Sequence, residues 1–304
     1  MIDLHTHSTA SDGAFSPTEL IQKAHQIGLT AIALTDHDVV SGIPEFQQAA
    51  RQYPHLTPIS GSELGAHHPE DEIEIIAMDI PDKALPAFME RQKKLLQIRQ
   101  QANLERLVKL NALGFDLTLD ELSVDQNGQK RTQIGKPHIA TALWKKGYVS
   151  DTQEAFQKYL NRGGPAYVKK KDPDFIETIS FIRDNGAVPV LAHPVFVHPK
   201  NLSLADLIHD LKKNGLMGME IFHSMHTIEN RREYLALARQ FGLMVSGGSD
   251  FHGGPDRTAQ LGIGRHNLAI PDFILDPILS RQFPTDEFYQ SIETILRKEN
   301  LCDR

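Results

Sequence analysis

The chain opens with M-I-D-L-H-T-H-S-T-A-S-D-G, residues Met1 to Gly13. The apolar residues around Ile2 and Leu4 predict a short strand. His5 and His7 lie at the end of this strand, and Asp12 follows five residues later. Residues two apart in an extended chain point to the same side, so both imidazoles can reach one point in space. Imidazole and carboxylate ligands suit Zn²⁺, Mn²⁺ or Fe²⁺ better than Ca²⁺. The stretch therefore predicts part of a metal site, unless it is a chance pair of histidines on a surface loop.

Composition narrows the functional class. A chain of 304 residues can form one large α/β domain or two smaller ones. The net charge of -7 argues against a protein that coats nucleic acid. It does not exclude an enzyme that acts on small phosphorylated substrates. The single cysteine, Cys302, provides neither a disulfide framework nor a cysteine zinc site and fits a reducing cytoplasm. No apolar run reaches the roughly 20 residues of a membrane span, and we expect a cytoplasmic protein without membrane contact.

Strand patterns and helix patterns alternate along most of the chain. After the opening strand, further strands are predicted at residues 30–34, 56–59, 72–78, 187–192, 218–222 and 243–246. Helices are predicted at residues 16–28, 43–52, 173–185, 204–213, 230–241 and 287–298. Ser16 and Glu19 form a capping-box signal at the first of these helices. The alternation predicts an α/β fold.

The middle of the chain breaks this alternation. Residues 83–113 have helical spacing and end at Gly114, and residues 116–160 continue as short helical pieces with an exposed turn at 125–131. No strand pattern of comparable strength occurs there. The segment therefore predicts a small helical insertion.

Histidines and carboxylates follow the predicted strands at the points where the strands end. They are His5, His7, Asp36, His37, Glu63, His193, His223, Asp250 and His252. In a parallel α/β sheet the carboxyl ends of the strands share one face, so these side chains should converge. A site of this composition would hold more than one divalent ion, and such ions activate water and hold a phosphoryl group for in-line attack. A glycine-rich phosphate loop does not compete, because Gly247-Gly248 lacks the lysine that such a loop requires.

Five ordered motifs resemble those of the PHP (polymerase and histidinol phosphatase) metallophosphoesterases. They are D-L-H-T-H-S-x-x-S-D-G, T-D-H-D, G-S-E, L-A-H-P and G-S-D-F-H-G. Within the insertion, G-K-P-H-I-A-T-A-L and Y-L-N-R-G-G-P-A-Y-V resemble the subgroup of nucleoside 3′,5′-bisphosphate phosphatases and the 5′-to-3′ exoribonuclease RNase AM. The resemblance implies a distorted (β/α)₇ PHP barrel, built from residues 1–96 and 168–304. Residues 97–167 would form a small helical inserted domain that covers the active site.

The resemblance also implies a trinuclear metal site. The first ion would be held by His5, His7, Glu63 and Asp250. The second ion would be held by Asp12, His37 and His252. Glu63 would bridge to a third ion that His193 and Glu74 also hold. Glu74 stands in place of the family's usual histidine. This third site therefore either keeps a carboxylate ligand or binds its ion more weakly. We expect two or three divalent ions per chain, Mn²⁺ first, with Fe²⁺ and Zn²⁺ as alternatives.

Further roles follow from the same resemblance. Asp12, His193 and His223 are expected to handle protons. His223 and His226 both follow a strand and face the ligand end of the sheet, where either could orient a metal ligand or protonate the leaving group. The expected substrate contacts in the insertion are Lys136, His138, Arg162 and Tyr167, and for each the alternative is a surface charge or a helix-packing residue. Lys136 replaces the usual arginine and keeps its charge but not the bidentate fork. We expect His67 and His68 to lie on an exposed loop, and the five remaining histidines, His25, His55, His198, His209 and His266, to be surface or core residues.

The implied function is metal-dependent hydrolysis of a nucleoside 3′,5′-bisphosphate such as pAp to the nucleoside 5′-monophosphate and phosphate. Cleavage of short 5′-phosphorylated RNA in the 5′-to-3′ direction is a second implied activity. The partner would be that nucleotide or RNA substrate, with no stable nucleic-acid complex. Two alternatives stay open: another small-molecule phosphatase such as histidinol phosphatase, which the insertion disfavours, and a non-catalytic metal-binding PHP scaffold, which the full ligand set disfavours.

Overall fold

Seven strands form one sheet in which the spatial order follows the chain. The computed structural model describes residues 1–124, 128, 130–254, 259–265 and 268–302. The strands are β1 (Ile2–Asp3), β2 (Ala31–Leu34), β3 (Thr57–His67), β4 (Glu72–Met78), β5 (Val188–Leu191), β6 (Gly218–His223) and β7 (Met244–Gly248). The predicted bounds of β4 are confirmed.

The first and last strands meet, so the sheet is nearly closed into a barrel. The Leu4 N–H donates to the Gly247 carbonyl at 3.1 Å, and the Asp250 N–H donates to the His5 carbonyl at 3.0 Å. Gly248 permits this approach, because a Cβ atom there would lie 2.3 Å from the backbone nitrogen of His5. The contact places the residues after β1 beside those after β7. The predicted α/β fold with a distorted barrel is confirmed.

One strand runs against the rest. β4 pairs antiparallel with both β3 and β5, whereas the other neighbouring strands are parallel. The loop of residues 68–71 between β3 and β4 is too short for the crossover that a parallel pair requires. β3 therefore continues to His67 as one arm of a hairpin. The expectation that this strand ends near residue 59 is wrong, and Glu63 lies within it.

Helices cover the outside of the sheet and build the insertion. They are α1 (Pro17–Gln26), α2 (Ile43–Ala50), α3 (Leu85–Ala112), α4 (Leu119–Leu122), α5 (Lys136–Lys145), α6 (Thr152–Ala155), α7 (Phe175–Asp184), α8 (Leu204–Lys213), α9 (Ile228–Phe241), α10 (Leu275–Ser280) and α11 (Asp286–Cys302). The capping box of Ser16 and Glu19 is present at α1. The predicted turn at 125–131 falls partly outside the described residues, as does His266. None of the described helices has the length and apolar character that a membrane span requires.

Buried apolar residues form two cores. The larger core fills the barrel and the helices around it, and the smaller core lies within residues 107–166. α3 contributes to both, since Phe88 and Leu95 belong to the larger core and Leu107 and Leu110 to the smaller. The expected domain boundary at residue 97 falls inside this continuous helix. The division into barrel and insertion therefore stays a prediction.

The close approach at Gly248 predicts the effect of a small substitution. We expect Gly248→Ala to lower the free energy of unfolding by more than about 3 kcal/mol, because the added methyl group meets the backbone of β1. Gly28→Ala is the matched control: its methyl group meets nothing within 4 Å, and its positive φ of 77° should cost about 1 to 2 kcal/mol. Urea denaturation measures both values. Equal losses in the two variants would contradict the role of Gly248 in barrel closure.

Candidate metal centre

Nine side chains of metal-ligand type meet at one end of the barrel. In each of four groups the ligand atoms lie within 4.8 Å of one another, as a shared ion requires. Among the described residues, these groups contain His5, His7, Asp12, His37, Glu63, Glu74, His193, Asp250 and His252 and no others. The structure thus brings together every residue that was predicted as a metal ligand.

The first position lies where β1 meets β7. Nε2 of His5 and Nε2 of His7 lie 3.7 and 3.2 Å from Oδ1 of Asp250. The same two nitrogens lie 3.4 and 3.5 Å from Oε2 of Glu63. Both imidazoles are fully buried. The ligand group at this point consists of His5, His7 and Asp250, and Glu63 lies beside both imidazoles in a neighbouring group.

The second position lies toward the loop that carries Asp12. Oδ1 of Asp12 is 3.9 Å from Nε2 of His37 and 3.3 Å from Nε2 of His252. The rings of His7 and His252 stack with centroids 3.9 Å apart. His7 therefore lies between the first and second positions, and it belongs to a ligand group at each.

The third position involves the reversed strand. Nε2 of His193 is 2.7 Å from Oε1 of Glu63 and 3.4 Å from Oε2 of Glu74. Oε1 of Glu74 lies 3.6 Å from Nδ1 of His37. Because β4 is antiparallel, its beginning lies at the barrel end where the neighbouring strands finish. This reversal explains how a residue near the start of a strand joins residues that follow strands.

Several ligand atoms in the cluster are buried without a hydrogen-bond partner. Among the described residues, these include Nε2 of His5, both ring nitrogens of His7, Nδ1 of His37 and Oε2 of Glu63. Nδ1 of His37 lies 2.9 Å from Oε2 of Glu63, yet the two atoms are not aligned for a hydrogen bond. A buried polar atom without a partner costs about 1 to 3 kcal/mol. A divalent ion would satisfy several of these atoms at once, and the imidazole and carboxylate donor set fits Mn²⁺, Fe²⁺ or Zn²⁺.

Two of these residues hold an unfavourable backbone conformation. His193 has φ of 23° and Asp250 has φ of 55°, in the region that residues other than glycine rarely adopt. Hydrogen bonds fix both, since the His193 N–H donates to Oε2 of Glu220 at 2.7 Å and the Asp250 N–H to the His5 carbonyl at 3.0 Å. Strain of this kind persists where the surroundings enforce it, which is common at functional sites.

Three buried carboxylates support the cluster without joining it. Oε1 of Glu220 accepts a hydrogen bond from Nδ1 of His5 at 3.0 Å, which fixes the tautomer and leaves Nε2 to face the first position. Asp36 accepts from the N–H and hydroxyl of Ser8 at 2.7 and 2.6 Å, and so holds the loop that leads to Asp12. Asp3 accepts from the N–H and hydroxyl of Ser249 at 2.8 and 2.5 Å, beside Asp250. The roles of Glu220 and Asp3 were not predicted from the sequence, and Asp36 was expected among the converging residues. The available signal was a charged residue inside or beside an apolar strand.

The cluster shifts the pKa values of its histidines in opposite directions. Burial would lower the pKa of His37, but the charges of Glu63 and Asp12 outweigh it and raise the pKa to about 9. Burial would also lower the pKa of His193, but the hydrogen bond to Glu63 and the charge of that carboxylate outweigh burial and raise the pKa to about 9. Burial and the neighbouring imidazoles of His252 and His37 lower the pKa of His7 to about 3. Despite burial, the charges of His37 and His5 hold the pKa of Glu63 well below its usual range.

The structure places His223 beside the cluster. Its Nε2 is buried without a hydrogen-bond partner among the described residues and lies 3.6 Å from Oδ2 of Asp250. The ring of His226 contacts that of His223, and its Nδ1 donates to the Ile221 carbonyl at 2.8 Å. Burial lowers the pKa of His226 to about 3. The roles of Asp12, His193 and His223 in proton transfer stay predictions.

The N-terminus of α5 approaches the cluster from the insertion. Gly135 precedes this helix, and a Cβ atom there would lie 3.5 Å from Oδ2 of Asp12. Lys136 is exposed at the first turn and interacts electrostatically with Glu74. His138 is part of the helix cap, since its Nδ1 accepts from the Gly135 N–H at 2.9 Å. The substrate roles of Lys136 and His138 stay predictions.

The other two predicted substrate contacts have partners on the β3–β4 hairpin. Arg162 forms an ion pair with Asp71 at 2.6 Å, and the Tyr167 hydroxyl donates to Glu72 at 2.8 Å. These contacts fasten the end of the insertion to the barrel, and substrate binding by either residue stays a prediction.

The position of His68 differs from the predicted one. It is buried, and its Nε2 lies 3.1 Å from Oδ2 of Asp210 while its ring contacts that of Phe175. The expected exposed loop position is therefore wrong for this residue, because α7 and α8 cover the end of the hairpin.

The hydrogen bond from His5 to Glu220 predicts a change in metal affinity. We expect Glu220→Gln to weaken Mn²⁺ binding by about 10- to 100-fold, because the amide can no longer accept from both His5 and the His193 backbone. Isothermal titration calorimetry measures this affinity. Glu229→Gln on the exposed face of α9 is the control and should bind Mn²⁺ as the wild type does. Unchanged affinity in Glu220→Gln would contradict the positioning role.

The raised pKa values of His37 and His193 predict proton release on metal binding. Both imidazoles carry a proton at about pH 7 in the metal-free protein, because each pKa is about 9, and both must lose it to act as ligands. Despite burial, the charges of Glu220 and Glu63 also raise the pKa of His5 well above its usual value, so we expect release of at least two protons per chain and an apparent metal affinity that rises as the pH is raised toward about 9. Calorimetry in buffers of different ionisation enthalpy measures the release. Binding without proton release, at an affinity independent of pH, would contradict this protonation state.

Known proteins are similar to this chain in sequence. The PHP domain family model matches residues 3–161. A 5′-3′ exoribonuclease of Haemophilus influenzae is 34% identical over 82% of this chain and 89% of its own. The 3′,5′-nucleoside bisphosphate phosphatase of Chromobacterium violaceum is 31% identical over 83% of this chain and 87% of its own.

Solved structures agree with the sequence comparison. A structure from Chromobacterium violaceum, named as an amidohydrolase with bound sulfate and no metal, has a TM-score of 0.79 at 28% identity and covers 94% of this chain and 99% of its own. A candidate metal-dependent phosphoesterase from Bifidobacterium adolescentis has a TM-score of 0.77 at 28% identity, over 93% of this chain and 96% of its own. The motifs, the barrel and the ligand cluster agree with these comparisons, and the chain belongs to the PHP domain family.

Proposed function

We propose that this chain hydrolyses the 3′-phosphate ester of a nucleoside 3′,5′-bisphosphate such as pAp, giving the nucleoside 5′-monophosphate and phosphate. The observation that carries the proposal is the convergence of nine ligand side chains with unpartnered buried ligand atoms at the first position. The names of the relatives from Chromobacterium violaceum and Haemophilus influenzae support a nucleotide or RNA substrate. Hydrolysis of short 5′-phosphorylated RNA from the 5′ end is the second activity that we propose.

The nine residues would hold two or three divalent ions, for which we propose Mn²⁺. Such ions, when bound, activate water and neutralise the charge of a phosphoryl group. Glu63 would be shared between positions, since its two carboxylate oxygens face different histidines. Glu220, Asp36 and Asp3 would keep the ligands in place while substrate enters and leaves.

The protein's own groups would supply proton transfer and substrate orientation. Asp12 lies between the second position and the insertion, where its carboxylate could take the proton of the attacking water. His223, whose Nε2 lies 3.6 Å from Oδ2 of Asp250, would give a proton to the leaving alcohol, and His193 would do so when no ion occupies the third position. Lys136, at the first turn of α5, would attract a substrate phosphate beside Glu74.

Two wider proposals accompany this function. We propose that residues 97–167 act as an inserted cover over the strand ends, supported by the contact of Gln133 with the His37 carbonyl at 2.7 Å and by the separate apolar core. We also propose a cytoplasmic location, supported by the single cysteine.

Phosphate release from pAp tests the function directly. In the presence of Mn²⁺ we expect the wild type to release phosphate from pAp, and we expect His7→Ala to lose at least about 100-fold in kcat/KM, because His7 serves two positions. His209→Ala, on the exposed face of α8, is the matched control and should keep full activity.

Further substrates separate the alternatives. Release from histidinol phosphate alone would contradict the nucleotide substrate. No release from pAp, histidinol phosphate or a short 5′-phosphorylated RNA would contradict the enzyme and favour a metal-binding scaffold.

A further inference from the structure

A half-exposed phenylalanine borders the metal centre. Phe196 ends a short 3₁₀ helix, Pro194–Phe196, that begins directly after His193. It is 50% exposed, whereas aromatic residues that serve only the core are mostly buried. We propose that the Phe196 ring is the surface on which the base of the nucleotide substrate stacks. The inference rests on the proposed function and extends it to recognition of the nucleoside.

The ring of Phe196 contacts two histidines of the site edge-to-face. Its centroid lies 5.3 Å from that of His193, at an interplanar angle of 65°, and 6.2 Å from that of His223, at 85°. Aromatic pairs favour this arrangement when their centroids are about 4.5 to 7 Å apart. The two histidines therefore hold one part of the ring against the site, and its exposed part stays open to a ligand.

Phe196 lies on the accessible side of the ligand cluster. Among the nine ligand side chains, those of Glu74 and Asp250 are the most exposed, at 35% and 28%. Nε2 of His193 lies 3.4 Å from Oε2 of Glu74, and Nε2 of His223 lies 3.6 Å from Oδ2 of Asp250. Phe196 thus contacts the histidine beside each of the two ligands that a substrate can reach most easily from solvent.

The leaving group is expected beside one of these histidines, His223. The Met225 N–H donates to Nδ1 of His223 at 3.2 Å, so the neutral ring carries its proton on Nε2, the atom that faces Asp250. In a nucleoside 3′,5′-bisphosphate the leaving alcohol is the 3′ oxygen of the nucleoside. A substrate whose 3′-phosphate lies at the metal centre then has its ribose next to His223 and its base within reach of Phe196.

The base is the part of the substrate that matches an exposed aromatic ring. The ligand cluster consists of imidazoles and carboxylates, which with their ions would hold phosphoryl oxygens. Phe196 and Met225, which is also exposed, add apolar surface at this edge of the site. A base gains free energy by stacking on an aromatic ring, and a methionine sulfur also contacts aromatic rings favourably. Because every base presents a π face, we expect this contact to strengthen binding of purines and pyrimidines alike.

A substrate without a base tests the inference. The abasic compound 1-deoxyribose 3,5-bisphosphate keeps the sugar ring and both phosphates of pAp. With the Mn²⁺-loaded full chain, we expect Phe196→Ala to lose at least about fivefold in kcat/KM for pAp through a higher KM, because stacking is lost. Its kcat/KM for the abasic compound should stay within about twofold of the wild type. Phe196→Tyr keeps the aromatic face and should retain the wild-type kcat/KM for pAp within about twofold.

Phe283→Ala is the matched control. Phe283 is 52% exposed, and the amine of Lys212 lies 4.2 Å from its ring centroid. Lys212 also donates to the carbonyl of Gly242, which precedes β7 and so lies at the barrel end opposite to the ligand cluster. Removal of this ring should change kcat/KM for neither substrate.

Three results would overturn the inference: an unchanged kcat/KM for pAp in Phe196→Ala, an equal loss on both substrates, or an equal loss on pAp in Phe196→Tyr. If the wild type does not hydrolyse pAp, the proposed substrate fails separately, and calorimetric binding of AMP and of ribose 5-phosphate to the Mn²⁺-loaded chain then decides. Binding of AMP that is tighter by at least about fivefold, with this preference lost in Phe196→Ala and kept in Phe196→Tyr, supports stacking. No binding by the wild type, no preference for AMP, or a preference that Phe196→Ala keeps overturns it.

Discussion

A buried carboxylate, that of Glu63, is the interaction on which the candidate site depends. It lies within the core of the barrel end, where a lone negative charge would be highly unfavourable. Its oxygens are 2.9 Å from His37 and 2.7 Å from His193, and two further imidazoles lie within 3.5 Å. The surrounding histidines therefore compensate the charge in the metal-free protein, and divalent ions would do so in the loaded protein. Each proposed ion position includes either Glu63 or a histidine that contacts Glu63.

The sheet supplies these histidines because of how it closes and where it reverses. Closure of β1 against β7 brings His5 and His7 to Asp250, at a contact that only glycine permits at position 248. Reversal of β4 brings Glu74 to the same end of the barrel as His193. The insertion contacts the barrel beside His37, whose carbonyl accepts a hydrogen bond from Nε2 of Gln133 at 2.7 Å.

Much of this site was predictable from residues that follow strands. His5, His7, His37, His193 and His252 could be assigned because strand ends converge whatever the details of the sheet. The direction of β4 and the extension of β3 to His67 were not predictable, because hydrophobic alternation does not encode strand direction. Glu220 and Asp3 were missed for a related reason: a charged residue beside apolar neighbours gives no sign of which distant group it contacts. The partners of Arg162 and Tyr167 depend on a hairpin distant in sequence.

Anomalous diffraction from crystals grown with Mn²⁺ locates each bound ion independently of activity. We expect one anomalous peak among His5, His7, Glu63 and Asp250 and a second among Asp12, His37 and His252. A third peak between Glu63, His193 and Glu74 would show that a carboxylate can replace the family's usual histidine there. Crystals that contain Mn²⁺ but show no peak among these nine side chains would contradict a metal centre at this end of the barrel.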